Sequence, residues 1–331
     1  MKPILADDAA IAKAALLLRQ GRLVAFPTET VYGLGADASN PEAVKRIFSA
    51  KGRPADHPLI VHIPDVDRLA DWALSVPESA RLLAARFWPG PLTLILKKKP
   101  EVPSVVTGGQ DTVGLRIPDN PVALSLLRAF GGGIAAPSAN RFKRISPTQA
   151  SHVAEELEGF VDMILDGGPC QVGLESTIVD LSGSRPILLR PGQITRLQIE
   201  QVLGGELAVI SPTEKASPGD VRAPGMMKIH YAPVTPAMLC NGGYLPEIVR
   251  SLTAQNQKLG VLLFQQDIAE EPDIRVIRMP VHAQDYAQAL YAALRELDRL
   301  QLDRILVEQP PETEEWRAIN DRLSKATVPF Q

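Results

Sequence analysis

The turn Lys51-Gly52-Arg53-Pro54 is the most unusual local arrangement of charge in this sequence. Because glycine and proline restrict such a turn to few conformations, the lysine and the arginine would converge on one point. A guanidinium group can bind two oxygens of one phosphate. The turn therefore predicts a local anion site, and the alternative is a solvated basic helix end that is stabilised by the helix dipole.

Two further segments place small polar side chains directly after predicted strands. Residues 27–35 (PTETVYGLG) carry hydroxyls, one aromatic ring and two glycines that permit close approach of a small ligand, although they do not form a GxGxxG nucleotide motif. Residues 136–140 (APSAN) precede the basic segment 141–144. Polar residues after strands commonly line ligand crevices in α/β sheets. Ser138 lacks an evident His/Asp pair in the sequence, so we interpret it as a binding residue and not as a nucleophile.

A third candidate lies within a predicted strand. Period-two geometry places Thr112, Gly114 and Arg116 on one strand face. Arg116 could bind a carboxylate from there, and the alternative is an ion pair with Asp111 or Asp119.

Histidine and cysteine spacing does not favour a metal site. His57 and His62 flank a short strand without cysteine or carboxylate ligands at zinc-binding spacing. Cys170 and Cys240 lie far apart and form no disulfide framework, which favours a reducing compartment.

The elements that must position these residues alternate between strand and helix patterns over the first 205 residues. We predict a helix from Asp7 or Asp8 to Gly21, and others at 41–50, 77–87 and 121–130. The strand patterns lie at 22–26, 59–63, 91–97, 112–117, 133–136, 161–166, 176–181 and 186–190. Several of these strands follow each other without room for a crossover helix, so we predict a mixed, twisted α/β sheet with flanking helices.

The pattern changes twice in the remaining chain. Residues 206–236 contain five prolines without periodicity, which predicts a semi-rigid connector. Residues 237–331 return to strand and helix alternation and predict a smaller Rossmann-like α/β domain. The expected organisation is therefore a domain at 1–205, a connector at 206–236 and a second domain at 237–331.

Composition excludes several classes of protein. The 331 residues are 45% hydrophobic and 22% charged, which is globular and not disordered. Net charge is −3, and residues 1–205 hold 22 Lys and Arg against 21 Asp and Glu, so a dedicated nucleic-acid clamp is not expected. No signal peptide or 18-residue apolar stretch is present, so we predict a cytoplasmic protein. The 29 prolines exceed the roughly 17 expected from average usage in a chain of this length, which indicates many fixed turns.

Taken together, the motifs resemble the YrdC domain of threonylcarbamoyl-AMP synthases over residues 5–205. The segments that carry the resemblance, in order, are 27–35, 51–54, 57–59, 88–93, 116–118, 137–140, 173–177 and 189–192. The connector sequence Ala223-Pro224-Gly225-Met226, followed by His230-Tyr231-Ala232-Pro233, resembles the longer two-domain form of this family.

The resemblance implies a nucleotidyltransferase that converts ATP, L-threonine and bicarbonate into threonylcarbamoyl-AMP and pyrophosphate, the first step of threonylcarbamoyladenosine formation in tRNA. It implies a catalytic polar set around the phosphates, Lys51, Arg53, Ser138 and Asn140. It adds five further ATP contacts, His57, Thr112, Ser146, Arg190 and Tyr231, the last folding back over the nucleotide. L-Threonine would lie against Thr30, Tyr32, His62, Arg116, Ala136 and Ser176, with Arg116 on its carboxylate.

The expected cofactors follow from this chemistry. Mg²⁺ would be held mainly by the nucleotide phosphates, no protein metal site is expected, and bicarbonate is a co-substrate. The product would pass to the tRNA threonylcarbamoyl-transferase machinery. The protein itself is expected to form no stable complex with tRNA and to bind no membrane.

Two other interpretations remain open at this stage. Residues 51–53 and 141–144 could form an RNA-binding concavity without ATP turnover, although few aromatic residues are available to stack bases. Carbamoyl transfer in hydrogenase maturation is disfavoured by the short chain and the absence of zinc-finger cysteines.

Overall fold

The structure, a computed structural model, describes residues 2–209, 221–227 and 229–329. The chain divides into two compact units. The first contains Met1–Phe142, Pro147–Gln171 and Glu175–Met226, and the second contains Lys143–Ser146, Val172–Leu174 and Met227–Gln331. Residues 210–220 and 228 of the predicted connector lie outside the described residues.

The first unit is built on one large mixed sheet of eleven strands. The strands are β1 (Ile4–Leu5), β2 (Val24–Phe26), β3 (Gly33–Asp37), β4 (Ile60–His62), β5 (Leu92–Lys97), β6 (Thr112–Arg116), β7 (Ile134–Ala135), β8 (Met163–Asp166), β9 (Thr177–Asp180), β10 (Ile187–Arg190) and β11 (Ala208–Val209). Their order in the sheet is β1-β8-β2-β3-β7-β4-β6-β5-β9-β10-β11. The sheet contains both parallel neighbours, such as β4 and β6, and antiparallel neighbours, such as β5 and β6, which confirms the predicted mixed sheet.

Helices cover both faces of this sheet. They are α1 (Asp8–Arg19), α2 (Pro41–Lys51), α3 (Leu69–Trp72), α4 (Glu78–Phe87), α5 (Ser104–Thr107), α6 (Pro121–Phe130), α7 (Ala150–Leu157) and α8 (Arg196–Leu203), with a 3₁₀ turn at Val66–Arg68. Alternate residues of β2 enter different cores: Val24 and Phe26 pack with α1 and α6, whereas Leu23 and Ala25 belong to the larger core on the other face.

Local sequence signals set the ends of α2, which carries the first candidate residue. The Asn40 side chain accepts hydrogen bonds from the backbone N–H groups of Glu42 and Ala43, and Pro41 occupies the first helical position. Gly52 ends the helix in the left-handed region, at φ 61°. Lys51 is therefore fixed as the last helical residue.

The second unit contains a smaller, wholly parallel sheet. Its strands are β12 (Ala237–Cys240), β13 (Leu259–Leu263), β14 (Ile274–Arg278), β15 (Arg304–Glu308) and β16 (Val328–Pro329). They are ordered β14-β13-β15-β12-β16. The helices are α9 (Leu245–Thr253), α10 (Ala283–Asp298) and α11 (Arg317–Ala326), with a 3₁₀ turn at Glu314–Trp316. Parallel strands alternating with helices confirm the predicted Rossmann-like class of this unit.

Several elements of the first unit differ from the sequence prediction. Gly33–Asp37 is a strand, so the predicted loop at 27–35 ends early and β3 pairs with β2 and β7. The helices α7 and α8 were missed, as was the short α5. No described helix is long and apolar enough to cross a membrane.

Candidate active site

Lys51 is buried at the end of α2, with 3% of its surface exposed. Its Nζ donates a hydrogen bond to the carbonyl of Ser138 and another, at 2.6 Å, to the carbonyl of Asn140. Burial, and secondly the charge of Arg53, lower the pKa of Lys51 well below its usual value. The interpretation of a solvated helix end is therefore wrong for Lys51, and this lysine is not exposed enough to serve an RNA-binding surface.

Arg53 and His57 lie on the turn between α2 and β4. The Nη2 of Arg53 donates to the Pro58 carbonyl at 3.0 Å, which fixes the guanidinium beside the start of β4. The His57 side chain is 28% exposed, and its ring packs edge-on against Phe142 at 5.6 Å between centroids. The Arg53 guanidinium is thus the charge of this turn that acts on the buried Lys51.

Arg116 forms a buried ion pair with Glu29. Its Nη2 lies 2.7 Å from Oε1 of Glu29, and the two side chains are 4% and 5% exposed. Its Nη1 donates to Oγ1 of Thr30 at 3.0 Å, and its Nε donates to the Gly90 carbonyl at 3.3 Å. The proposed partners Asp111 and Asp119 are wrong: the acidic partner comes from the loop after β2.

His62 lies beside Arg116, because the two residues are register partners in β4 and β6. Burial, followed by the charge of Arg116, lowers the pKa of His62 to about 3, so the imidazole is neutral at pH 7. Tyr32 is fully buried and donates its hydroxyl to the Gly168 carbonyl at 2.7 Å, and burial raises its pKa. Ala136 is 5% exposed and donates its backbone N–H to the Ile60 carbonyl at 3.0 Å.

Ser176 and Arg190 form a second buried polar group on the same sheet. Ser176 Oγ lies 2.8 Å from the hydroxyl of Thr93 on β5. Arg190 donates from Nε to the Ser176 carbonyl at 3.0 Å and from Nη2 to Ser176 Oγ at 3.2 Å. Its Nη1 donates to the Pro224 carbonyl at 3.0 Å, which ties the last strands of the sheet to the connector.

The described connector residues of the first unit lie over the face that carries Thr112 and Gly114. Ala223 packs with Ile60, Ile95 and Ile178 of that face. Arg222 exchanges hydrogen bonds with the Gln110 side chain, accepting at 3.1 Å through its carbonyl and donating at 2.6 Å through its backbone N–H. A small pocket remains between the sheet and connector, bordered by side chains that include Pro58, Thr93, Thr112, Arg222 and Pro224.

Two predicted ATP contacts belong to the second unit. Ser146 is fully buried there, and Tyr231 is 1% exposed. The Tyr231 ring stacks on Tyr291 at 5.9 Å and lies 5.3 Å from the Arg322 guanidinium. Tyr231 has a φ of 61°, which places its backbone in the left-handed region.

The first unit thus brings several of the predicted site residues together in separate groups. Lys51, Ser138 and Asn140 meet at the end of α2, whereas Thr30, His62 and Arg116 meet at β4 and β6. The sequence analysis singled out neither Glu29 nor Thr93. A carboxylate directly after a buried strand, at Glu29, was the available signal for the first; Thr93 has the alternating pattern of an ordinary strand.

The donor set fits phosphate better than a bare metal ion. Within the described ranges, no group of three or more His, Cys, Asp or Glu side chains could hold a metal. Lysine and arginine predominate around Ser138 and Asn140, and neither ligates Mg²⁺.

Two models of known protein families match this chain. A family model described as "Telomere recombination", for the Sua5, YciO and YrdC proteins, matches residues 16–192. A second, described as "Threonylcarbamoyl-AMP synthase, C-terminal domain", matches residues 194–328. Together they define a two-domain protein whose first unit has the YrdC-type fold.

Relatives that match nearly the whole chain are threonylcarbamoyl-AMP synthases. The threonylcarbamoyl-AMP synthase of Bacillus subtilis is 45% identical over 97% of this chain and 93% of its own, and that of Pyrococcus abyssi is 44% identical over 95% and 93%. The crystal structure of P. abyssi Sua5 complexed with L-threonine matches with a TM-score of 0.90 and 42% identity, over 97% of this chain and 96% of that one. The chain belongs to the threonylcarbamoyl-AMP synthase family, in its two-domain form.

Proposed function

We propose that this chain condenses L-threonine, bicarbonate and ATP into threonylcarbamoyl-AMP and pyrophosphate, with its first unit as the catalytic unit. The observation that carries the proposal is a row of buried polar side chains on five neighbouring strands of one sheet. These are His62 on β4, Arg116 on β6, Thr93 on β5, Ser176 before β9 and Arg190 on β10. Such a row can hold one zwitterionic substrate beside the phosphates of another.

We assign the threonine carboxylate to Arg116, because its guanidinium is charged, buried and oriented by Thr30 and Glu29. Tyr32, His62, Ala136 and Ser176 complete the threonine site as predicted contacts. The phosphates are assigned to Lys51, Arg53, Ser138 and Asn140, with His57, Thr112, Ser146, Arg190 and Tyr231 as further ATP contacts.

The reaction needs no covalent intermediate on the protein. The threonine amine attacks the carbon of bicarbonate to give an N-carboxylate, which then attacks the α-phosphorus and displaces pyrophosphate. Mg²⁺ enters with ATP and reduces the phosphate charge. The chain itself aligns the two substrates, excludes water through its buried site and places cationic side chains at the phosphates.

The decisive experiment offers each amino acid in turn to the protein with MgATP and bicarbonate. Pyrophosphate and the adenylate are measured together. The proposal predicts products with threonine and much less with the other amino acids. No product with threonine, or equal product with all, would contradict it.

A first prediction concerns Lys51→Ala, which removes the cation that joins α2 to the loop at 138–140. We expect the rate of threonine-dependent pyrophosphate release to fall about 10²-fold or more, because a positioned donor at the phosphates is lost. Lys45→Ala, an exposed lysine on the same helix, serves as the matched control and should retain activity. A near-normal rate in a folded Lys51→Ala protein would reject the role of Lys51.

We further propose that the adenylate passes to the tRNA threonylcarbamoyl-transferase machinery in the cytoplasm. The near-neutral charge of residues 1–205 supports release of the product without a stable tRNA complex.

A further inference from the structure

Glu29 is a buried carboxylate whose assigned role so far is only to orient Arg116. Its side chain is 5% exposed, and the residue lies in the loop after β2, which also carries Thr30. Among the residues that the structure describes, neither carboxylate oxygen has a hydrogen-bond partner, although Oε1 lies 2.7 Å from Arg116 Nη2 in the ion pair. Buried polar atoms in native proteins are nearly always hydrogen-bonded, so this exception calls for an explanation.

The neighbouring charge arrangement suits an amino acid in its zwitterionic form. Arg116 can receive a carboxylate, and a carboxylate beside the arginine can receive an ammonium group. The substrate ammonium would supply the hydrogen bonds that both Glu29 oxygens lack. The Glu29–Arg116 pair is therefore a template of opposite charges for the two charged groups on the α-carbon of threonine.

We propose that Glu29 binds the ammonium group of threonine and accepts one of its protons as the N–C bond forms; this rests on the proposed function. The ammonium nitrogen loses one proton to Glu29 and attacks the carbon of bicarbonate, and a C–O bond breaks. The departing hydroxyl leaves as water with a second proton from the nitrogen. The products are the N-carboxylate of threonine, water and protonated Glu29, so atoms and charge balance.

The other titratable side chains around Arg116 are poor proton acceptors. Burial lowers the pKa of His62 to about 3, so its imidazole is a weak base. Burial raises the pKa of Tyr32 and of the Cys170 thiol, so both stay protonated at neutral pH. Glu29 is the group at this position that combines negative charge with oxygen atoms open to a donor.

The test separates formation of the N-carboxylate from adenylation with Glu29→Gln, which keeps the shape of the side chain. The forward reaction starts from threonine, bicarbonate and MgATP. The reverse reaction starts from freshly prepared threonylcarbamoyl-AMP and pyrophosphate, and forms ATP. The reverse reaction forms ATP and the N-carboxylate of threonine, which is released and decomposes in solution. The enzyme therefore transfers no proton to or from an ammonium group in this direction.

We expect Glu29→Gln to lower the forward rate about 10²-fold or more while the reverse rate stays close to that of the wild type. Asp180→Asn, at a buried carboxylate that accepts from its own loop, should change neither rate. Thermal unfolding checks the fold, and if Glu29→Gln does not fold then Glu29→Asp is analysed by the same comparison of rates. An unchanged forward rate, or an equal loss in both directions, would overturn the proposal. A wild-type protein that makes no adenylate would instead contradict the proposed function.

Discussion

Burial sets the protonation state of most titratable side chains around Arg116. His62, Tyr32 and Cys170 are all held neutral at pH 7, since transfer of a charge into this environment is costly. The remaining charges, on Arg116 and Glu29, compensate each other at 2.7 Å. The region can therefore accept a zwitterion without a net buried charge.

His62 gives a prediction for the pH dependence of stability. Its folded pKa of about 3 lies below the ordinary value of 6.5, so the unfolded chain binds the proton more readily. The stability from neutral His62 is complete above pH 6.5 and is lost as pH falls toward 3, by at most about 1.4 kcal/mol per pH unit. We expect His62→Asn to have a weaker pH dependence of its free energy of unfolding in urea between pH 6.5 and about 4.5.

The control for this prediction is His282→Asn, at an exposed histidine. It should keep the wild-type pH dependence. The same slope in His62→Asn and the wild type would show that His62 does not titrate with folding.

The sequence indicated individual candidate site residues, but it did not indicate the side chains with which they pair. Lys51 and Arg116 stand out by type and by the glycines and prolines near them. The Glu29–Arg116 pair joins residues 87 positions apart, so it arises only when β2, β3 and β7 bring the loop after β2 beside β4 and β6. Local spacing favoured Asp111 and Asp119, which are closer along the chain.

Helices were predicted best where strong local signals in the sequence mark their first residues. The helices α2 and α6, predicted at 41–50 and 121–130, both begin at an asparagine cap followed by proline, and these signals act within four residues. β3 was missed because its sequence, GLGAD, has low strand propensity and because one of its two partner strands, β7, is distant in the sequence. The alternation of strands and helices in the second unit was predicted, although its last strand, β16, was not.

The end of β15 has an unusual arrangement of hydrogen bonds in the second unit. The Glu308 carboxylate, 3% exposed, accepts from three consecutive backbone N–H groups after β13, of Phe264, Gln265 and Gln266, at 2.6 to 3.2 Å. This is the carboxyl edge of a parallel sheet, where ligands of α/β proteins commonly bind. Here a side chain of the protein occupies the anion-binding amides and links β13 to β15.

We therefore expect Glu308→Gln to destabilise the second unit by about 2 kcal/mol, because hydrogen bonds to a charged acceptor are replaced by weaker ones. Hydrogen exchange of the amides at 264–266 should accelerate accordingly. The exposed Glu312→Gln is the matched control and should leave exchange unchanged. Unaltered protection at 264–266 in Glu308→Gln would contradict this role.

At the scale of the whole molecule, the described end of the connector packs against the sheet that carries the candidate site. The part described in the first unit, Val221–Met226, covers the sheet face beside Thr112 and gives Arg190 a carbonyl acceptor at Pro224. A Pro-rich segment has few conformations to lose on docking, so its ordering costs less than that of a flexible chain. The described end of the connector, Val221–Met226, is therefore part of the first unit, and the connector bounds 206–236 stay a prediction.

Two truncated chains can test this assignment. A chain of residues 1–226 keeps the described connector of the first unit, whereas a chain of residues 1–222 loses Ala223, Pro224 and the two residues after them. We expect the Kd for ATP of the shorter chain to be about tenfold higher, roughly 1.4 kcal/mol, because the Arg190 contact and the packing of Ala223 on Ile60 and Ile178 are lost. Both chains lack residues 227–331, so their difference isolates four residues, and circular dichroism checks that both fold. Equal affinities would show that the connector only joins the units, whereas the expected loss would make it part of the nucleotide site.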